Sequence, residues 1–252
     1  MRIIFSRDRP AQLDLLLRSI ERHMEPEDTR ILWIASNDFY RRGFDLLGVD
    51  TPPHGEEGFF EAFKELLGEA PATVTLFCDD DIVYRPVQGD PPALLLSDDR
   101  ILTVCLYLGR GNVKQAIPDG FPVWEWHPLD RHDFGFPCAV DGNTYRPDDV
   151  LALMGGDYIP NPTWVEAIMA MRIRMFQETR PLMASFTDQS VVSVPVNRTS
   201  HSLGPRAGRR FPQEPDYLNN RFLGGERIDF DALDFAGIDS CHHEIRYEWM
   251  KP

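Results

Sequence analysis

Thr73-Val74-Thr75-Leu76-Phe77-Cys78-Asp79-Asp80-Asp81 joins an apolar, β-branched run to three consecutive carboxylates. The run has the composition of a buried strand, and in open α/β sheets ligands collect at the carboxyl ends of strands. Aspartates gathered there are hard oxygen donors suited to Mg²⁺ or Mn²⁺. Side chains alternate along a strand, which predicts that Asp79 and Asp81 share one face and Asp80 the other, so the triplet reads as Asp-x-Asp. Three adjacent like charges raise one another's pKa unless a cation or several donors compensate them. The other reading is a solvated acidic turn. Near the other end of the chain, His242-His243-Glu244 holds the sole adjacent histidine pair, and neutral imidazole is a competent Mn²⁺ ligand beside carboxylates. Glu166 lies just after Asn161-Pro162, a helix-opening pair, where it is either a dipole-favoured surface acid or a catalytic carboxylate.

Composition narrows the ligand. The chain has 252 residues, 42% hydrophobic, enough for one sizeable core. A net charge of −14 argues against a nucleic-acid binder, whose affinity rests on clustered cations. Only Lys64, Lys114 and Lys251 are lysines, and arginine dominance fits bidentate contacts to a small phosphate-bearing ligand. Cys78, Cys105, Cys138 and Cys241 form no Cys-x-x-Cys pair, which predicts reduced thiols and a cytoplasmic protein. No apolar run approaches the ~20 residues of a membrane span.

The elements that must position these groups alternate between strand and helix. Strands are expected at 1–6, 30–35, 73–81 and 101–108, and helices at 12–23, 39–47 and 59–67, the opening of a doubly wound fold. Asp8 is the expected cap of the first helix. Lys64, on the third helix, is either solvated or a nucleotide contact. Residues 109–137 turn aromatic and Gly/Pro-rich, and Trp124, Trp126 and Phe136 could cover pyranose faces or simply pack together. Further helices are expected at 148–154 and 161–177, with a strand at 191–196 and an arginine loop carrying Arg206, Arg209 and Arg210.

The opening Ile3-Ile4-Phe5-Ser6-Arg7-Asp8-Arg9-Pro10-Ala11-Gln12-Leu13, the strand ending in Asp79-Asp80-Asp81 and the late His242-x-Glu244 resemble a bacterial GT-A-type glycosyltransferase, over nearly the whole chain. The resemblance implies an α/β fold, a Rossmann-like mixed sheet flanked by helices in one compact domain. Its nucleotide-sugar half would be 1–108 and its acceptor half 109–252, including the tail that supplies a metal ligand. It implies a nucleotide-sugar donor, UDP-sugar first, bound across the N-terminal strand ends, with Mn²⁺ or Mg²⁺ bridging its diphosphate to the Asp-x-Asp. Ser6, Arg7 and Arg9 would lie near the nucleotide, Asn37 near the base and Asp79 near the ribose. Asp81 would hold the metal with Asp79 second, His242 would complete the shell with His243 in reserve, and Asp80 would hold the turn beside the donor. The implied partners are the donor and a saccharide or other hydroxyl acceptor, and a homo-oligomer is compatible with the sequence.

The chemistry suits these residue types. Breaking an anomeric C–O bond builds charge on a departing diphosphate, which a metal and arginines stabilise where it develops. An inverting enzyme also needs a carboxylate to take the acceptor's proton. Glu166 is the first candidate, then Asp149 and Asp188; the Glu-Asp pair common in inverting members is absent. The Arg206 to Arg210 loop is either a cover over the diphosphate or an ordinary basic loop. Two rival readings remain. Asp79-Asp80-Asp81-Ile82-Val83 also matches the signature of haloacid-dehalogenase-like phosphotransferases, with Asp79 as nucleophile. A non-catalytic carbohydrate-binding module built on Trp124, Trp126 and Phe136 is the other.

Overall fold

Seven strands form one mixed sheet in the computed structural model, which describes residues 1–49, 55–87, 91–110, 112, 122–127, 133–156, 159–199 and 207–251. β1 (Arg2–Arg7) leads into α1 (Pro10–His23), and β2 (Thr29–Ile34) into α2 (Asp38–Leu47). α3 (Glu56–Glu69) precedes β3 (Val74–Cys78), which turns directly into β4 (Asp81–Val83). There follow α4 (Pro91–Leu96), β5 (Ile101–Cys105), β6 (Val123–Glu125), β7 (Asn143–Tyr145), α5 (Pro147–Met154), α6 (Pro162–Arg172) and β8 (Leu182–Ser185). β9 (Val191–Ser193), α7 (Pro215–Leu223), β10 (Arg227–Ile228) and β11 (Trp249–Met250) complete the chain.

The sheet order is β2-β1-β3-β7-β5-β8-β6. β1 is parallel to β2 and β3, and β5 to β8; β7 is antiparallel to β3 and β5, as is β6 to β8. This is the Rossmann-like mixed sheet that the resemblance implies. β4 and β9 form a second, small antiparallel sheet, and β10 and β11 a third. Helix α1 is buried on two sides: Leu13, Leu16 and Ile20 join the main core, while Ala11 and Leu15 pack with Ile82, Val192, Val194 and Phe222. No helix among the described residues is long and apolar enough to cross a membrane.

Several local expectations change. The strand expected through Asp81 stops at Cys78: β1 still pairs there through Phe5, but on the other side β7 begins only at Asn143, opposite Leu76. The Cys78 N–H instead goes to the Asp81 carboxylate at 2.8 Å, and Asp79-Asp80 form a turn. Strict alternation through the triplet is therefore lost. Asp8 does not cap α1; it has φ +56°, an uncommon conformation for a non-glycine, and its carboxylate accepts the Ser36 N–H at 2.7 Å, tying the ends of β1 and β2 together. The helix expected to reach residue 177 is α-helical only to Arg172 and then tightens into a 3₁₀ turn, Ile173–Phe176. The strand expected at 191–196 pairs only over Val191–Ser193, and β6 lies in ground read as loop.

Candidate active site

The carboxyl ends of β1, β2 and β3 open into a cavity of about 350 Å³, within the range of small-ligand sites. Its apolar wall is Phe5, Leu32, Ile34 and Phe59. Beside it stand Ser6, Arg7, Arg9, Asp79 and Asp80, while Asp133, Val140 and Asp141 enter from the second half of the chain. Asn161 and Glu166 come from the start of α6, Asn197, Arg198 and Ala207 from the segment after β9, and His242 from the tail.

Asp79 organises the rim. One oxygen accepts from the Ser6 hydroxyl at 2.8 Å and the Arg7 N–H at 3.0 Å; the other takes Arg9 Nη1 at 2.9 Å. Arg9 also reaches Asp80 at 3.1 Å and donates to the Asn197 side chain at 2.8 Å and its carbonyl at 2.6 Å. One buried guanidinium thus joins the β1–α1 turn, the aspartate turn and the exit of β9. Burial pushes the Asp79 carboxyl up, Arg9 pulls it down and Asp80 raises it again, leaving it at about 6. Burial tends to discharge Arg9, but Asp80 and Asp79 outweigh it and hold its pKa above the ordinary value.

Asp81 stands apart from this rim. It is 1% exposed, does not line the cavity, and accepts from the Cys78 N–H and the Ser193 hydroxyl, each at 2.8 Å. Burial first, then Asp141 and Asp80, push its pKa well above the carboxylate range. The triplet carboxylates that face the cavity are Asp79 and Asp80, because the turn at 79–80 replaces the expected strand.

Glu166 and Asp141 share the cavity with the tail histidine, His242. Glu166, on the first turn and a half of α6, accepts the Val140 N–H at 3.0 Å, and burial followed by repulsion from Asp141 pushes its pKa up to about 8. His242 Nε2 lies 3.5 Å from Asp141; desolvation lowers the imidazole's pKa, but Asp141 raises it more, to about 9. Glu244 accepts the N–H groups of Arg209, Arg210 and Phe211 at 2.7–2.9 Å. Burial would raise its pKa, yet these three bonds lower it. Glu244 anchors the far end of the arginine loop; Arg206 lies outside the described residues.

The remaining expected residues lie elsewhere. Asn37 caps α2, accepting from the Phe39 and Tyr40 N–H groups, and does not line the cavity. Lys64 pairs with Glu61 at 2.8 Å and sits over the Phe60 ring, the solvated reading. Buried Asp149 is held between Arg146 at 3.2 Å and Arg180 at 3.0 Å, and exposed Asp188 pairs with Arg110 at 3.3 Å. The His243 ring faces Asp239 at 3.8 Å rather than the cavity. Trp124 and Trp126 are buried, their indole N–H groups donating to the carbonyls of Phe134 at 2.6 Å and Arg180 at 2.7 Å, so they are core and offer no sugar platform. Phe136 alone of that aromatic set reaches the cavity. Asp79 has both oxygens engaged and follows the third strand in sequence, an arrangement unlike that of a free nucleophile after a first strand. Sequence reasoning missed Asp141, Asp133, Asn161 and Asn197 as cavity residues; only Asp141-Gly142, a turn signal opening a strand, gave any hint of the first.

Among the described residues, no three His, Cys, Asp or Glu side chains converge as a ready metal cage. Asp80, Asp141 and His242 nevertheless bring oxygen and imidazole donors to one cavity. Mg²⁺ sites commonly use one or two carboxylates plus substrate phosphates instead of an all-protein cage, and imidazole beside carboxylate also suits Mn²⁺. These are the donor types such an ion takes, and the triplet member among them is Asp80 rather than Asp81.

Comparison with protein-family models and with curated protein sequences finds no match. Among solved structures the chain is similar to S. aureus TarS, with a TM-score of 0.46 and 10% identity over 75% of this chain and 35% of that one. It is also similar to TarS 1–349 in complex with UDP, at TM-score 0.45 and 9% identity, and in complex with UDP-GlcNAc, at TM-score 0.40 and 11% identity. These matches cover 75% of this chain and 59% and 57% of those chains, so the chain spans about a third of TarS and under three fifths of its 1–349 segment.

Proposed function

We propose that this protein is a nucleotide-sugar-dependent glycosyltransferase that moves a sugar from a nucleoside-diphosphate donor, UDP-sugar first, to a hydroxyl of a saccharide or other small acceptor. The observation that carries the reading is the cavity itself. It joins an apolar wall, arginines and an acidic centre at the carboxyl ends of parallel strands, with a carboxyl of raised pKa beside them. In this reading the base lies against Leu32, Ile34 and Phe59, and Ser6 and Arg7, fixed by Asp79, meet the ribose and diphosphate. Arg9 holds the Asp79-Asp80 turn in place and adds positive charge where the leaving group develops its own.

A divalent ion would be held by Asp80 and His242, and would add Lewis-acid stabilisation of the departing diphosphate. Glu166 takes the proton of the acceptor hydroxyl as its oxygen attacks the anomeric carbon, the inverting course. A carboxyl near pH 8 is a stronger base than an ordinary one and is matched to that work. The haloacid-dehalogenase-like alternative is weakened by the full engagement of Asp79, and the binding-module alternative by the burial of both tryptophans.

The test is nucleotide release. UDP-sugars incubated with the protein and Mn²⁺ are expected to yield UDP, slowly by hydrolysis and faster with a saccharide acceptor. Intact donor after prolonged incubation across a panel of nucleotide sugars and acceptors would remove the proposal.

A further inference from the structure

The tail residue His242 has its backbone fixed while its ring stands half exposed. Ser193 N–H donates to Cys241 O and His243 N–H to Ser193 O, both at 2.9 Å, and Gln189 Nε2 reaches Ser240 O at 3.1 Å. These bonds lock residues 240–243 against β9, yet the His242 side chain is 44% exposed, and its ring has one close polar partner among those described, Asp141, at 3.5 Å. Asp141 itself stands on rigid ground. The next residue, Gly142, donates to Leu76 O at 2.7 Å and accepts from the Leu106 N–H at 3.0 Å, bridging β3 and the end of β5. It does so at φ +84°, with a Cβ there meeting Val191 at 3.3 Å, so glycine is required.

We propose that Asp141 is a positioning residue, a sheet-borne carboxylate that aims the imidazole of His242 into the cavity toward the donor diphosphate. A histidine that meets an ion or phosphate needs its other ring edge or its plane fixed by such a partner, and removing it costs about 10- to 100-fold in metal affinity in known sites. The functional half of this inference rests on reading the cavity as the donor site; the structural half stands without it.

The experiment pairs crystal structures of the ligand-free protein and its Asp141→Asn variant with calorimetric titration of UDP plus Mn²⁺ into each. The melting temperature of the variant, expected within a few degrees of the parent, controls for folding. The expected result is a His242 ring turned out of the cavity and UDP–Mn²⁺ binding weaker by about 10- to 100-fold. A ring that stays in place overturns the positioning role, whether or not affinity falls, and a displaced ring with unchanged affinity overturns its functional importance. If the parent protein binds no UDP under any condition, the glycosyltransferase reading fails, while the ring position in the variant still decides what Asp141 does.

Discussion

Replacing Glu166 by glutamine separates its structural from its chemical role. The amide oxygen can still accept the Val140 N–H, so the packing at the start of α6 is kept while the ionisable group is removed. Burial, then Asp141, holds the native carboxyl at about 8 against 4.5 for the free group. The folded chain therefore keeps a proton that the unfolded chain has lost, and stability falls as pH rises from about 4.5 through about 8. Glutamine has no such dependence. At ~1.36 kcal/mol per pH unit over the part of that window between pH 6 and pH 9, Glu166→Gln gains about 3 kcal/mol on the parent protein. In a chain of this length that corresponds to a melting temperature difference growing by about 6–12 °C between the two pH values. Thermal unfolding of both proteins at pH 6 and pH 9 reads it directly. The same variant is expected to lose about 10²- to 10⁴-fold in transfer while its donor affinity holds. Melting curves that shift in parallel at both pH values would refute the burial argument. A pH-dependent gain with unimpaired transfer would leave Glu166 a buried acid and no base.

The two neighbouring aspartates should part company. Asp81→Ala leaves the Cys78 N–H and the Ser193 hydroxyl without their acceptor and is expected to cost about 1–3 kcal/mol of stability, whereas in Asp81→Asn the amide oxygen still accepts the Cys78 N–H and the amide N–H donates to the Ser193 hydroxyl, so much of the fold is kept. Asp80→Ala should melt close to the parent yet lose Mn²⁺-dependent nucleotide binding; undiminished binding in that variant would place the ion elsewhere. Arg9→Met leaves the buried Asp79 and the half-buried Asp80 without their cation and is expected to destabilise by about 3–5 kcal/mol, measured by urea denaturation, and a loss below about 1 kcal/mol would mean that the Asp79-Asp80 turn does not depend on it.

What was legible in the sequence follows a physical divide. The main-sheet strands through β5 could be read, because β1, β2, β3 and β5 are apolar runs and α1 and α3 carry helical apolar periodicity, but the short β4 between β3 and β5 could not. Ser6, Arg7, Arg9, Asp79 and Glu166 could be nominated because a strand end or a helix start is a local signal. The division of labour inside the triplet was not local. It depends on where β7 begins, sixty-odd residues on, since β7 does not reach the Cys78 N–H and the Asp81 carboxylate accepts it instead. Asp141 was hidden for the same reason: only the antiparallel pairing of β7 with β3 brings it beside the aspartates. Lys64, Asp149 and Asp188 are each taken by an ion pair: that of Lys64 with Glu61 lies at helical spacing in the sequence, whereas Arg180 and Arg110 reach Asp149 and Asp188 only through the fold.

The most direct measurement is calorimetric titration of UDP into the protein with and without Mn²⁺. The account predicts saturable one-to-one binding with the ion, markedly weaker binding without it, and loss of the ion's effect in Asp80→Ala. Heats of dilution alone in both titrations, across the nucleoside diphosphates, would contradict the claim that this cavity is a nucleotide-sugar site.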